Sequence, residues 1–108
     1  MASDAVKAYV RGVFDNLGGA GPEARLLLRE FLILALAYHR DVLVPAKNFE
    51  SYQETRAWFL QPRVVEAGDN VKAQLTQLKA HGINLLGYTP ADVCDAIAEL
   101  YGKKPRRP

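Results

Sequence analysis

Eight consecutive apolar residues, Phe31 to Tyr38, constrain the fold of this chain more than any other feature. No glycine or proline interrupts residues 23–44, so the run is predicted to lie in a helix from about Pro22 to about Arg40. A helix that is apolar on every side must also be covered on every side. The run therefore predicts either the central helix of a domain or half of a homodimer interface, and the sequence leaves both open.

Helical spacing and cap residues predict four further helices. The first runs from Ser3 to Leu17, and a glycine-rich turn at residues 18–22 follows it. Pro45 is predicted to break the second helix, which makes residues 42–47 a connection. The third helix is predicted to be capped by Asn48 and to end near Leu60.

The last two helices are predicted from the clearest boundary signals in the chain. The fourth runs from Arg63 to about His81, and Gly82 ends it. The fifth has Thr89 as its N-cap and Pro90 at its first position, and it ends at Gly102. No segment alternates apolar and polar residues over a strand length, so the predicted fold class is all-α, a compact bundle of about five helices with a short basic C-terminal tail.

Length and charge divide the chain into a body and a tail. The 108 residues suit one domain, so residues 1–102 are predicted to form a single helical domain and residues 103–108 a flexible basic tail. Four of the 14 basic residues lie in that tail, which leaves the body with ten basic against 12 acidic residues. A weakly acidic body is a poor template for a polyanion, so any binding of nucleic acid must start at the C-terminus.

Location is predicted from cysteine use and from the absence of sorting signals. Cys94 is the only cysteine, which excludes an intramolecular disulfide and favours a reducing compartment. The first residues lack a basic segment followed by an apolar one, as a secretory signal requires. The longest apolar run is less than half of the roughly 20 residues that cross a bilayer. A cytoplasmic protein without membrane contact is therefore expected.

Catalytic and metal-binding patterns are missing from the sequence. His39 and His81 lie far apart and neither belongs to a His-Glu-x-x-His pattern, while Cys94 has no second cysteine to complete a zinc site. Cys94 follows an apolar stripe and is interpreted as a core residue rather than a nucleophile. Glu23 follows the glycine-rich turn, where a phosphate loop would carry a lysine. No enzyme activity, metal or cofactor is predicted.

Residues 86–93, Leu-Gly-Tyr-Thr-Pro-Ala-Asp-Val, resemble the start of the small three-helix modules of the ubiquitin-associated type. The resemblance is confined to this segment and implies no functional residue. A helix-turn-helix is disfavoured, because the six residues between Gly82 and Thr89 exceed its turn of three or four. Asp92 and Asp95 would also repel phosphate.

Two functions of different classes remain. The favoured one is a non-enzymatic small helical interaction protein that acts through a protein partner or its own homodimer, with Trp58 expected to be exposed or interfacial. Its predicted interface consists of Phe31, Leu34, Tyr38, Tyr52, Arg56 and Trp58. The alternative is a nucleic-acid-associated regulator that clamps phosphates through Lys103, Lys104, Arg106 and Arg107. A dimer could add a basic groove from Arg11, Arg25, Arg29, Arg56 and Arg63.

Overall fold

The computed structural model describes residues 2–102, of which 78% are helical, and that range contains no strand. The predicted all-α architecture of five helices is confirmed. In chain order the helices are α1 (Asp4–Asp15), α2 (Pro22–Tyr38), α3 (Tyr52–Phe59), α4 (Pro62–Ala80) and α5 (Pro90–Tyr101). The predicted tail, residues 103–108, lies outside the described residues.

The predicted starts of α1 and α2 are confirmed. The Ser3 side chain accepts a hydrogen bond from the backbone N–H of Val6, 3.3 Å away, and Pro22 occupies the first position of α2. Arg25 holds the intervening turn, because its guanidinium donates to the carbonyl oxygens of Ala20 and Leu17, each at 3.2 Å. α1 and α2 are thereby joined by a turn with a fixed geometry.

The predicted break at Pro45 and connection at residues 42–47 are wrong. α2 continues into a wide π turn, His39–Leu43, and then into a short helical segment, Val44–Ala46. In the π turn the N–H of Val44 bonds to the carbonyl of His39, five residues back. Pro45 lies in the first turn of the segment Val44–Ala46, where the missing N–H of proline costs no helical hydrogen bond.

The predicted cap of α3 is also wrong, since Ser51 takes the place assigned to Asn48. The N–H of Glu54 donates to Ser51 Oγ at 3.1 Å, and the N–H of Ser51 donates to Glu54 Oε1 at 3.4 Å. This capping box satisfies two backbone donors reciprocally, which Asn48 cannot do from three residues upstream.

The end of α4 and the start of α5 follow the sequence signals. Gly82 adopts φ of 88°, and the N–H of Ile83 reaches back to the carbonyl of Leu78 at 2.9 Å, as in a Schellman motif. Both Leu78 and Ile83 are buried. Thr89 caps α5 by accepting from the N–H of Asp92 at 3.2 Å.

The core lies between three pairs of helices: α2 against α4, α1 against α5, and α2 against α5. Its largest fully buried side chains are Phe31, Leu75, Leu78, Leu85 and Ile97. α5 is the most enclosed helix, because five consecutive residues, Val93–Ile97, are buried. The connector before α5 packs against the rest of the protein, since Ile83 and Leu85 are buried and Tyr9 Oη donates to the carbonyl of Asn84 at 2.7 Å.

The apolar run of α2 is covered on its inner sides only. Phe31 and Ala35 are fully buried, but Ile33 is 67% exposed. The chain alone therefore does not enclose the run as a central helix would require. Coverage by a second copy stays a prediction.

Candidate interaction surfaces

The six residues predicted to form an interface separate into three groups. Phe31 is fully buried in the core and has no surface to offer a partner, which corrects its assignment. Leu34, Tyr38 and Trp58 are partly buried and pack against the core. Tyr52 and Arg56 are exposed together on α3, four residues apart and hence on one side of the helix.

The outer face of α3, defined here as Tyr52, Gln53, Arg56, Ala57 and Leu60, lines a shallow depression of about 410 Å³. Tyr52 is 79% exposed and Leu60 is 61% exposed. No residue of α3 is fully buried. The helix therefore presents an aromatic, a cationic and an aliphatic side chain in a row.

Trp58 was predicted to be exposed or interfacial, but its side chain is partly buried and packs against the core. It fixes α3 to the rest of the protein from the side opposite the outer face. Its indole Nε1 donates to the carbonyl of Val42 at 3.0 Å, and its ring centroid lies 5.9 Å from that of Phe49. The guanidinium carbon of Arg63 lies 5.7 Å from the same indole centroid, within the range of a cation–π contact. These contacts hold the outer face in a defined orientation.

Arg56 carries an uncompensated charge. Within residues 2–102 its guanidinium forms no ion pair or side-chain hydrogen bond. A planar guanidinium offers several donors in a fixed geometry that matches a carboxylate. The outer face of α3 can therefore accept a partner's acidic group between two apolar contacts.

A second uncovered face lies on α2. Leu26, 55% exposed, and Ile33, 67% exposed, flank the exposed pair Arg29 and Glu30. Steps of three and four residues place all four on one side of the helix; they are called here the outer face of α2. Beside Leu26 is a depression of about 270 Å³, lined by Glu23, Leu26, Leu27, Gln77 and His81.

A buried carboxylate joins the end of α2 to α5. Asp95 is only 8% exposed, and its Oδ1 lies 3.4 Å from both His39 Nε2 and Lys47 Nζ. These contacts anchor the π turn and the segment that leads into α3. The sequence did not reveal this cluster, because Asp95 lies 48 residues from Lys47 along the chain.

The interpretation of Cys94 as a core residue is confirmed, since the side chain is fully buried. Burial, aided by the charge of Asp95, raises the pKa of the Cys94 thiol to about 12. The thiol stays protonated at neutral pH and is not an activated nucleophile. Among residues 2–102, no three His, Cys, Asp or Glu side chains are close enough to hold a metal ion.

Two sets of basic residues were predicted to bind nucleic acid, one in the C-terminal tail and one on the body of the protein. Lys103, Lys104, Arg106 and Arg107 lie outside the described residues. Of the arginines proposed for a basic groove, Arg25 is committed to the turn before α2, and Arg63 lies against Trp58. Binding of nucleic acid stays a prediction.

No family model, curated protein or solved structure matches this chain. The likeness of residues 86–93 to ubiquitin-associated modules stays confined to that segment. In the part of the chain that the structure describes, no helix has both the length and the apolar character to cross a membrane.

Sequence reasoning missed Leu26, Ile33 and Leu60 as surface residues. A signal for the first two existed: Ala24, Leu28, Phe31 and Ala35 follow steps of four, three and four and are all buried. That inner stripe leaves Leu26 and Ile33 on the other side of α2. Leu60 follows the last residue of α3 and carried no comparable signal.

Proposed function

We propose that this protein is a non-enzymatic helical interaction protein whose outer α3 face binds a protein partner. The observation that carries the proposal is the display of Tyr52, Arg56 and Leu60 in one row on a helix fixed from behind by Trp58. Tyrosine and arginine are enriched among residues that dominate the energy of protein interfaces. A side chain on a fixed helix also loses less freedom on binding than one on a loose segment.

The chemistry of this face favours a partner of a different sequence over a second copy of α3. Any twofold pairing that covers the whole face brings Arg56 against Arg56 of the other copy, since Tyr52 and Leu60 lie four residues to either side. Two guanidinium groups at short range repel each other. A carboxylate on the partner would instead form a charge-assisted hydrogen bond with Arg56.

The spacing of the row defines the size of the matching segment. From Tyr52 to Leu60 the helix rises about 12 Å. A partner helix that carries one acidic residue between two apolar residues, each one turn away, fits this length. We expect such a helix to lie along α3.

Site-specific cross-linking tests this proposal. A photoreactive phenylalanine analogue replaces Tyr52 in the full chain, and a control chain carries it in place of Lys72, which is exposed on α4. Both are irradiated in native extract with and without nuclease. We expect the analogue at position 52, but not at position 72, to cross-link to a protein. Treatment with nuclease should not abolish this cross-link.

The variant Arg56→Glu provides the chemical control in the same experiment. It reverses the central charge and should weaken capture from position 52 by about tenfold or more, whereas Lys72→Glu should leave it unchanged. Identical capture from positions 52 and 72, or capture that disappears after nuclease treatment, would contradict the proposal. The second outcome would favour the nucleic-acid alternative.

A further inference from the structure

We infer that two copies of this chain associate through the outer face of α2, antiparallel about a twofold axis that passes between Arg29 and Glu30. The inference goes beyond the proposed function and does not depend on the partner proposed for the outer face of α3. It concerns a different surface, and it names the occupant of that surface as a second copy of this chain.

The order of side chains on the outer face of α2 is self-complementary. In an antiparallel helix pair centred between residues 29 and 30, Leu26 lies opposite Ile33 of the other copy, and Arg29 lies opposite Glu30. Twofold symmetry repeats each contact, so the pair has two apolar contacts flanking two ion pairs. Within residues 2–102, neither Arg29 nor Glu30 has an ion-pair partner in its own chain.

Neighbouring registers are disfavoured by charge. A shift of the axis onto residue 29 brings Arg29 against its own copy, and a shift onto residue 30 does the same for Glu30. Like charges placed opposite each other across helices repel and so select against those registers. The charge pattern therefore specifies one alignment.

Shape supports the same alignment. Ile33 protrudes from α2, with two thirds of its surface exposed. Opposite it is Leu26, which borders the depression of about 270 Å³ that Leu27 and Gln77 also line. Ile33 of one copy thus meets a hollow on the other, and burial of this apolar contact is the main source of the association energy.

The expected association is weak. α2 is about 25 Å long, and a single helix face buries less than the roughly 800 Å² per partner of a standard interface. A dissociation constant in the range of roughly 10 μM to 1 mM is therefore expected. Such a dimer forms at high local concentration and leaves the outer face of α3 available.

Sedimentation equilibrium of the full chain tests the inference through charge exchange. The variants Arg29→Glu and Glu30→Arg each place like charges opposite each other. The dissociation constant of each variant alone should therefore be at least about tenfold higher than that of the wild-type chain. An equimolar mixture of the two variants restores both ion pairs across a mixed dimer. We expect the mixture to associate about as strongly as the wild type.

Matched controls separate this effect from altered folding or net charge. Glu66→Arg and Lys72→Glu make the same charge changes on exposed positions of α4 and should leave association unchanged, while Ile33→Ser should reduce it. Circular dichroism verifies that each variant is folded. A wild-type chain that stays monomeric to about 1 mM, or a mixture that associates no better than its components, would overturn the inference.

Different results contradict the proposed function of the α3 face and the proposed dimer through α2. Loss of cross-linking at Tyr52 without loss of self-association would contradict the proposed function and leave the α2 dimer intact. A monomeric chain that still captures a partner through α3 would do the reverse.

Discussion

At the scale of single residues, Gly82 is where the chain depends most directly on the absence of a side chain. It is the only residue with positive φ in the described range, and its conformation lets Ile83 reach back to Leu78 and enter the core. L-residues reach this left-handed region only at a cost in free energy. Gly82 therefore couples the end of α4 to the packing of the connector.

We expect Gly82→Ala to lower the free energy of unfolding by about 1 kcal/mol. Gly12→Ala is the matched control, because Gly12 lies inside α1 with open space where a Cβ would be placed. That change should raise stability by up to about 1 kcal/mol, since alanine favours a helix interior. Urea unfolding measures both, and equal effects of the two changes would contradict the role of Gly82.

Cys94 makes stability sensitive to alkaline pH. Its pKa in the folded protein is raised to about 12 from an ordinary value of 9.0, so the unfolded chain releases the proton first. The stabilisation is complete below pH 9 and is lost as the pH rises towards 12. Burial also raises the pKa of Tyr38 above its ordinary value, which adds to the loss.

We expect the urea midpoint to fall between pH 9 and pH 11, and to fall less steeply in Cys94→Ala. The thiol of the native chain should also resist a thiol reagent at pH 8 and react once the chain unfolds. Rapid reaction under native conditions would show that Cys94 is neither buried nor held protonated.

At the scale of helices, local signals predicted several termini that are stabilised by their own neighbours, although the capping box of Ser51 and Glu54, which is just as local, was missed. Helix boundaries lie where the sequence predicted them at Ser3, Pro22, Gly82 and Thr89. The backbone hydrogen bonds that define these termini are formed, or at Pro22 not required, within a few residues of the terminus. The end of α2 could not be predicted in this way. Pro45 normally stops a helix, and only the wide π turn before it allows the helix to resume.

The assignment of Phe31 to the interface was wrong for a related reason. Within the uninterrupted apolar run of α2, the sequence does not distinguish the side that faces the core. The stripe that continues back to Ala24 and Leu28 does distinguish it, and α4 and α5 pack against that side. The Asp95 cluster depends on contacts across nearly half the chain. Tyr52 and Arg56, in contrast, lie on a helix with enough polar residues for its exposed side to be anticipated.

The orientation of α3 depends on Trp58, which gives a test at this scale. Trp58→Phe keeps an aromatic ring but removes the donor to the carbonyl of Val42. We expect amide exchange in α3 to accelerate by roughly five- to tenfold, as for the loss of about 1 kcal/mol. Exchange in α4 should change little, whereas equal acceleration throughout the chain would show that α3 does not depend on this bond specifically.

At the scale of the whole molecule, the five helices form a core that leaves two faces uncovered. The radius of gyration is 14.5 Å, above the roughly 13 Å typical of a compact domain of this length. The extents of 45 × 37 × 25 Å describe a flattened body. Apolar side chains on fixed helices of such a body are suited to contacts with other proteins.

Hydroxyl-radical footprinting of the full chain at low micromolar concentration tests most directly whether the two outer faces are uncovered. We expect Ile33 and Tyr52 to be oxidised readily, and Phe31, which lies two residues before Ile33 on the opposite side of α2 and is fully buried, to be protected. Protection of Ile33 or Tyr52 to the level of Phe31 under these conditions would contradict the uncovered faces on which both proposed contacts depend.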